Sequence, residues 1–102
     1  MRIIKRMMPV EFGRRHSDAI EPLNRWYQIA RSARWRSLTD VRIGFPHADY
    51  VTVASGKAVT VFNVAGNKYR LVTAIHYNRQ IVYTLRMMTH AEYSREKWKG
   101  QL

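Results

Sequence analysis

The sequence predicts an α+β fold: two N-terminal helices packed on a small, mostly antiparallel sheet, with a short C-terminal helix. Three observations carry this. Residues 60–88 hold three β-rich runs separated by turn chemistry, and Thr89-His90-Ala91-Glu92 has the form of a capping box directly after the last run. Upstream, the apolar residues between Pro9 and Ala33 recur at helical spacing. At 102 residues the chain has room for one modest core and therefore one domain, residues 1–102. It contains no internal repeat, low-complexity run or interdomain linker.

Taken in order, Arg2–Arg6 reads as a short strand, with Ile3 and Ile4 between basic residues, at an edge or central place in the sheet. Pro9 suits the first turn of a helix. Phe12, His16, Ala19, Ile20 and Leu23 continue at helical spacing, which Gly13 weakens and Pro22 restarts at a kink, so two helices in tandem are expected. In the second, Trp26, Ile29, Ala30 and Ala33 fall at i, i+3, i+4 and i+7, forming a core-facing stripe, with Arg25, Arg31 and Arg34 on the remaining surface. Trp26, Tyr27 and Trp35 have rings able to stack on bases, but burial against the sheet is the stronger reading. His16 is read as a packing or capping residue rather than a catalytic one.

From Ser37 to Lys57 periodicity is lost, and Gly44, Pro46, Ser55 and Gly56 mark an irregular connection. Asp40 there is either the N-cap of a short turn or a partner for a cation. The meander follows: Thr60–Val64, a turn at Ala65-Gly66-Asn67, Lys68–His76, a turn at Tyr77-Asn78-Arg79-Gln80, then Ile81–Met88. In the capping box the Thr89 hydroxyl accepts from the Glu92 backbone and the Glu92 carboxylate reaches back, so a helix starts immediately after the last strand. Glu92 is read as a cap in preference to an acid or base, because its spacing from Thr89 already gives it that role.

The formal net charge is +11. Residues 1–36 hold nine Lys/Arg against three acids and residues 37–102 nine against four, so the charge belongs to the folded body and not to a tail. Such a balance favours a polyanion, nucleic acid or ribosome, or an acidic protein that neutralises it; the plainer reading is a soluble basic protein. Zero cysteines exclude a disulfide framework, a thiolate nucleophile and any Cys-containing zinc site, and a reduced, cytoplasmic setting is expected. The N-terminal residues lack the apolar run of a signal peptide, and no segment approaches the length of a membrane span.

The second half carries Lys68, Arg70, Arg86, His90, Tyr93, Arg95, Lys97 and Lys99. His90 and Tyr93 are three apart, on one face of the new helix beside the end of the last strand. Cleaving RNA without a metal needs an activated 2′-hydroxyl, charge neutralised on a phosphorane-like transition state, and a proton for the departing 5′-oxygen. Arg70 offers a planar fork to two phosphate oxygens, and Lys68 a point charge which alternation puts on the same face. An imidazole, as at His90, suits proton transfer near neutrality, whereas Tyr93 needs its phenol lowered by neighbouring cations to serve as a base. Lys57, just before the meander, is either an RNA-contacting ammonium on a loop or a solvated lysine. The plainer reading of the whole set is a solvated basic face.

FNVAGNKYRL followed by THAEY resembles the HigB branch of the RelE-like toxins, and His16-Ser17-Asp18-Ala19, Leu23, Trp26-Tyr27, Trp35, Asp40-Val41, Phe45-Pro46 and Ala48-Asp49 fall in the same order, covering roughly residues 12–99. The resemblance implies a RelE-like toxin domain acting as a metal-free, ribosome-dependent mRNA endoribonuclease of a type II toxin–antitoxin pair. No cofactor is implied. Its motifs fall on the Asn67-Lys68-x-Arg70 hairpin and the Thr89-His90-x-Glu92-Tyr93 helix start; together with the inventory above, the expected catalytic residues are Arg70, His90, Tyr93 and Lys68, and the expected RNA-binding residues Lys57, Asn67, Arg86, Arg95 and Lys97. Its implied partners are mRNA, the ribosome and a cognate helix-turn-helix antitoxin of the HigA type, which brings the pair to operator DNA; no membrane is involved. A non-catalytic RNA- or ribosome-binding module is the alternative, and a basic DNA-binding protein ranks last for want of a recognition helix.

One departure stands out. Many relatives have an arginine two residues after the tyrosine of the last strand, where this chain has Leu85; its arginine follows at Arg86. A shift of one residue changes the face. With a regular hairpin, Arg86 sits opposite Leu71 and points away from Arg70, unless a bulge re-aims it.

Overall fold

The computed structural model describes residues 1–102, and its centre is the meander. Strands β3 (Ala58–Val64), β4 (Tyr69–His76) and β5 (Ile81–Thr89) pair antiparallel in succession. β1 (Arg2–Ile4) adds to β5 in parallel at one edge, and β2 (Asp49–Thr52) pairs antiparallel with β3 at the other, giving the order β1-β5-β4-β3-β2. Four α-helices accompany the sheet: α1 (Met7–Arg15), α2 (Ile20–Ser32), α3 (Leu38–Gly44) and α4 (His90–Ser94). The α+β expectation is met.

Alternation along the strands divides the sheet into two faces. Phe62, Val64, Tyr69, Leu71 and Val82 point to the face covered by α1, α2 and α3, and join Ala19, Leu23, Trp26, Ala30, Trp35 and Val41 in the main core. Trp26, Trp35 and Phe45 pack around the fully buried Phe62 ring with centroids 5.0–6.1 Å away. Val59, Val61, Val72 and Met88 point the other way and are covered only by the C-terminal segment, through Trp98. The molecule therefore has one thick face of helices and one thin face.

Two of the three prolines fall in first turns, Pro9 in α1 and Pro22 in α2, where a missing N–H costs nothing. Gly13 is buried where α1 meets α2, and a Cβ there would lie 3.0 Å from Ile20 Cγ1. His16 stacks on Phe12 at 4.2 Å and meets Tyr69 edge-on at 5.2 Å, the packing role expected of it.

Two sequence expectations change. The apolar stripe of α2 is Leu23-Trp26-Ala30, while Ile29 is 45% exposed, because the helix lies on its sheet along a narrower line than the full i, i+3, i+4, i+7 set. The supposed irregular connection holds α3 and β2. α3 is seven residues long and β2 four, too short to establish a period in the sequence. Asp40 is not the expected N-cap, a place taken by Ser37; it lies in the first turn of α3 and accepts from the Arg36 backbone N–H at 2.8 Å, without an ion pair to a site cation.

Candidate functional site

The thin face carries the site. Arg70 lies on β4 opposite Asn63 on one side and Met88 on the other. It is only 8% exposed, and its guanidinium is clamped by its own hairpin. Nη1 donates to the carbonyls of Asn67 and Tyr69, both at 3.1 Å, and Nη2 to the Asn67 side-chain oxygen at 2.5 Å. Those three bonds leave Nε–H and one Nη2–H free of the five donors a guanidinium has. A pair of donors fixed in a plane is the geometry that meets two oxygens of a phosphate.

α4 closes over this point because Thr89 ends β5 and caps the helix at once. The Thr89 hydroxyl accepts from Glu92 N–H at 3.2 Å and the Glu92 carboxylate accepts from Thr89 N–H at 3.1 Å, so both halves of the capping box are present. His90 N–H donates to the Lys68 carbonyl at 2.8 Å, tying the helix start to the β3–β4 hairpin. Tyr93, one turn on, is half-buried with its ring 5.4 Å from the Arg70 guanidinium carbon, within cation–π range. The same ring stacks on Trp98 at 5.3 Å and 20°, and Trp98 Nε1–H donates to the Tyr93 carbonyl at 3.1 Å.

Burial pushes the Tyr93 phenol above its ordinary value, and the Asp49 carboxylate adds to that; Lys99 and Arg70 pull the other way and do not prevail. This reverses the expectation that cation density would lower Tyr93. Removing the phenolate from water outweighs charges that remain partly solvated. The Tyr93 phenol therefore stays protonated at neutral pH, the state in which it can give up a proton but not accept one. His90 is exposed, with Nδ1 3.5 Å from the Ser94 hydroxyl.

Lys68 departs from its expected place. It lies in the turn before β4, where strand alternation does not apply, and its ammonium pairs with Asp18 at 2.9 Å. The Tyr69 hydroxyl donates to the other Asp18 oxygen at 2.6 Å, and Tyr69 belongs to the helix-covered core. Lys68 is thus drawn to the opposite side from Arg70. The Tyr69 and Lys68 hydrogen bonds hold the Asp18 carboxyl below the usual carboxylate range.

Arg86 is re-aimed. The β4–β5 register slips between Val72 and Thr73, so that Thr73 faces Thr84 while Val72 faces Arg86. Leu85 is the extra residue of a β-bulge, and Leu85 and Arg86 both point to the thin face. Arg86 therefore shares a face with Arg70, on the diagonal of the ladder. Its guanidinium donates to the Gln101 side chain. Arg86, Glu92, Arg95, Lys97, Trp98 and Gln101 line a hollow of about 250 Å³, so three of the expected RNA-binding cations converge next to the Tyr93–Trp98 stack. A second hollow of about 530 Å³ is lined by His47, Asn63, Gly66 and Asn67, the last of which holds the Arg70 guanidinium. Lys57 joins neither; it lies six residues back along the β3 ladder from Asn63, roughly 20 Å away by strand rise.

Sequence reasoning missed Trp98 and Asp49. Trp98 lies five residues past Tyr93, a weak signal, and Asp49 could be placed only once β2 was known to pair Asp49 with Val61 on the thin face. No three His, Asp or Glu side chains come together as a metal-binding group.

The family model for the HigB toxin, described as the RelE-like toxic component of a toxin–antitoxin system, matches residues 19–96. The chain belongs to the HigB toxin family. No curated protein matches it. As a HigB-family chain it is the toxic member of a pair, and an antitoxin is its implied partner. The matched span covers Arg70, the capping box, His90 and Tyr93, and ends before Lys97 and Trp98. No helix of this HigB-family protein is long and apolar enough to cross a membrane.

Proposed function

We propose that this HigB-family toxin is an endoribonuclease that cuts translated mRNA in the ribosomal A site without a metal ion and so stops translation. Its cognate inhibitor would be a helix-turn-helix antitoxin of the HigA type, through which the pair reaches operator DNA. The observation carrying this reading is the buried Arg70 guanidinium, clamped by Asn67 with two donors left free beside a protonated phenol. Fixed donors cost no reorganisation when charge develops on a phosphate.

In the proposed reaction His90 takes the proton of a 2′-hydroxyl, and the 2′-oxygen attacks the adjacent phosphorus. Arg70 receives the charge that builds on the phosphoryl oxygens. Tyr93, held protonated by burial, delivers its proton to the departing 5′-oxygen. The P–O5′ bond breaks as the P–O2′ bond forms, leaving a 2′,3′-cyclic phosphate and a 5′-hydroxyl; proton exchange with water resets both residues. Arg86, Arg95, Lys97 and Asn67 would hold flanking nucleotides. Lys68, paired with Asp18, is given no step in this scheme.

The test is to map new 5′ ends on a defined mRNA in a purified translation system, with and without ribosomes. Cuts within A-site codons, only with ribosomes and carrying 5′-hydroxyl ends, are expected from the wild type. Arg70→Ala is expected to lower cutting by about 10²–10³-fold and Tyr93→Phe by at least about 10²-fold. Intact mRNA in the presence of tightly bound protein would instead favour the non-catalytic binding module, in which these cations only hold phosphates.

A further inference from the structure

The far end of the molecule carries a second basic hollow that the proposed chemistry does not use. It has a volume of about 570 Å³ and is lined by Arg2, Arg31, Arg34, Arg79 and Gln80 with the main chain between them. Arg2 comes from β1, Arg31 and Arg34 from the end of α2 and just beyond it, and Arg79 from the β4–β5 turn. Three separate stretches of chain thus bring four guanidiniums to one concavity. No acidic residue lines it, and none of the four side chains has a hydrogen-bond or ion-pair partner. All four are exposed.

The hollow is built, not a chance of loose side chains. Met1 N donates to Ala33 O at 2.6 Å and Arg31 O at 3.2 Å, Arg2 N–H donates to Gln80 O at 2.8 Å, and Gln80 Nε2 donates to the carbonyls of Trp35 at 2.7 Å and Tyr77 at 2.8 Å. These bonds fix the start of β1, the end of α2 and the β4–β5 turn against one another. Gathering like charges on a fixed rim costs folding free energy through self-repulsion, which a bound polyanion relieves.

We infer that this hollow is a docking site for the sugar–phosphate backbone of folded, double-helical RNA, separate from the cutting face. Planar guanidinium forks suit phosphate oxygens. No aromatic ring lines the hollow, so it offers nothing for unstacked bases to lie on, as a single-strand site would. A-form duplexes are recognised through phosphates and shape, which is what four arginines on a curved surface can meet. The site is also far from the chemistry. Arg2 pairs with Ile81 at the start of β5, whereas Thr89 ends that strand beside Arg70, eight residues or roughly 27 Å along. RNA held here leaves the thin face open to a separate single strand. As a ribosomal contact this rests on the proposed function, but duplex binding itself can be measured without it.

The experiment is fluorescence anisotropy of a labelled 20-base-pair RNA duplex titrated with wild type, with Arg31→Ala/Arg34→Ala/Arg79→Ala and with Arg25→Ala, an exposed arginine outside the hollow, across a salt series. All the altered residues are exposed, and circular dichroism verifies folding. The triple variant is expected to bind at least about tenfold more weakly at 0.1 M salt, with the slope of log K against log salt reduced by about 2–3. Arg25→Ala is expected to bind duplex within about twofold of the wild type. Unchanged affinity and slope in the triple variant overturn the inference. So does selective loss of binding to a polyglutamate peptide with duplex binding intact, which would make the hollow a seat for an acidic protein. The mRNA-cutting assay run in parallel separates the two proposals: wild-type cutting with an unaltered triple variant sinks only the docking site, and duplex loss without any wild-type cutting sinks only the endoribonuclease.

Discussion

Replacing Trp98 by alanine tests whether the C-terminal segment holds the site together. The indole is 3% exposed, fills the thin-face core against Val53, Val59, Val61, Val72 and Met88, stacks on Tyr93 and donates to its carbonyl. Truncating a buried Trp in a packed core costs about 3–5 kcal/mol. With a urea dependence of about 1.5 kcal/mol per molar for a domain of this size, the unfolding midpoint of Trp98→Ala falls by about 2–3 M. Trp98→Phe keeps the stacked ring and loses mainly the N–H donor, at about 1–2 kcal/mol. A second readout goes with the first. Burial is the leading cause of the raised Tyr93 phenol, so in Trp98→Ala its titration, followed by NMR of labelled tyrosine, moves down toward the ordinary value while that in Trp98→Phe stays high. An alanine variant within about 1 kcal/mol of the wild type, with the Tyr93 titration unmoved, would refute the claim that this segment creates the environment of the site.

Three further outcomes are expected. Because the folded Asp18 carboxyl lies below its unfolded value, its stabilisation is present above about pH 4 and is lost as pH falls through the folded value; the unfolding midpoint of the wild type should therefore fall faster in acid than that of Asp18→Asn. Glu92→Gln preserves the capping geometry and should cut at near wild-type rate, while Thr89→Ala should cost about 1 kcal/mol of stability; a large rate loss in Glu92→Gln would instead make that carboxylate a reacting group. The Tyr93 phenol is raised and stays protonated through neutral pH, so the cutting rate should show no alkaline limb below about pH 9 from this residue. A limb near pH 8 that disappears in Tyr93→Phe would contradict its role as proton donor.

What the sequence disclosed was what repeats or caps locally. The meander shows because β-branched runs and turn residues alternate over thirty residues, and α4 shows because a capping box needs only Thr89 and Glu92 at the right spacing. Site features that depended on long-range partners were hidden. Lys68 was misplaced because its direction is set by Asp18, fifty residues away. The Tyr93 shift had the wrong sign because charge can be counted from a sequence, whereas the burial supplied by Trp98 cannot. Asp49 was unreadable until the pairing of β2 was known. Arg86 is the intermediate case: the sequence showed the one-residue displacement and the need for a bulge, but not that the ladder slips between Val72 and Thr73.

That slip has an arithmetical consequence. β5 carries one residue more than its partner strand has places for, and the surplus is taken up at Leu85. From Arg86 onward, parity is counted afresh, which is why Met87 turns toward the helices while Met88 and Arg86 turn away. Deleting Leu85 would make the ladder regular and leave every remaining side chain on the side it already occupies. Inserting a residue beside it would also restore strict alternation, but it would displace Arg86, Met88 and the start of α4 by two places along β4, away from their present partners. The strand thus tolerates a change of length in one direction only, and the location of the spare place, beside the cations of the thin face, lets an arginine move by one position in the chain without leaving that surface.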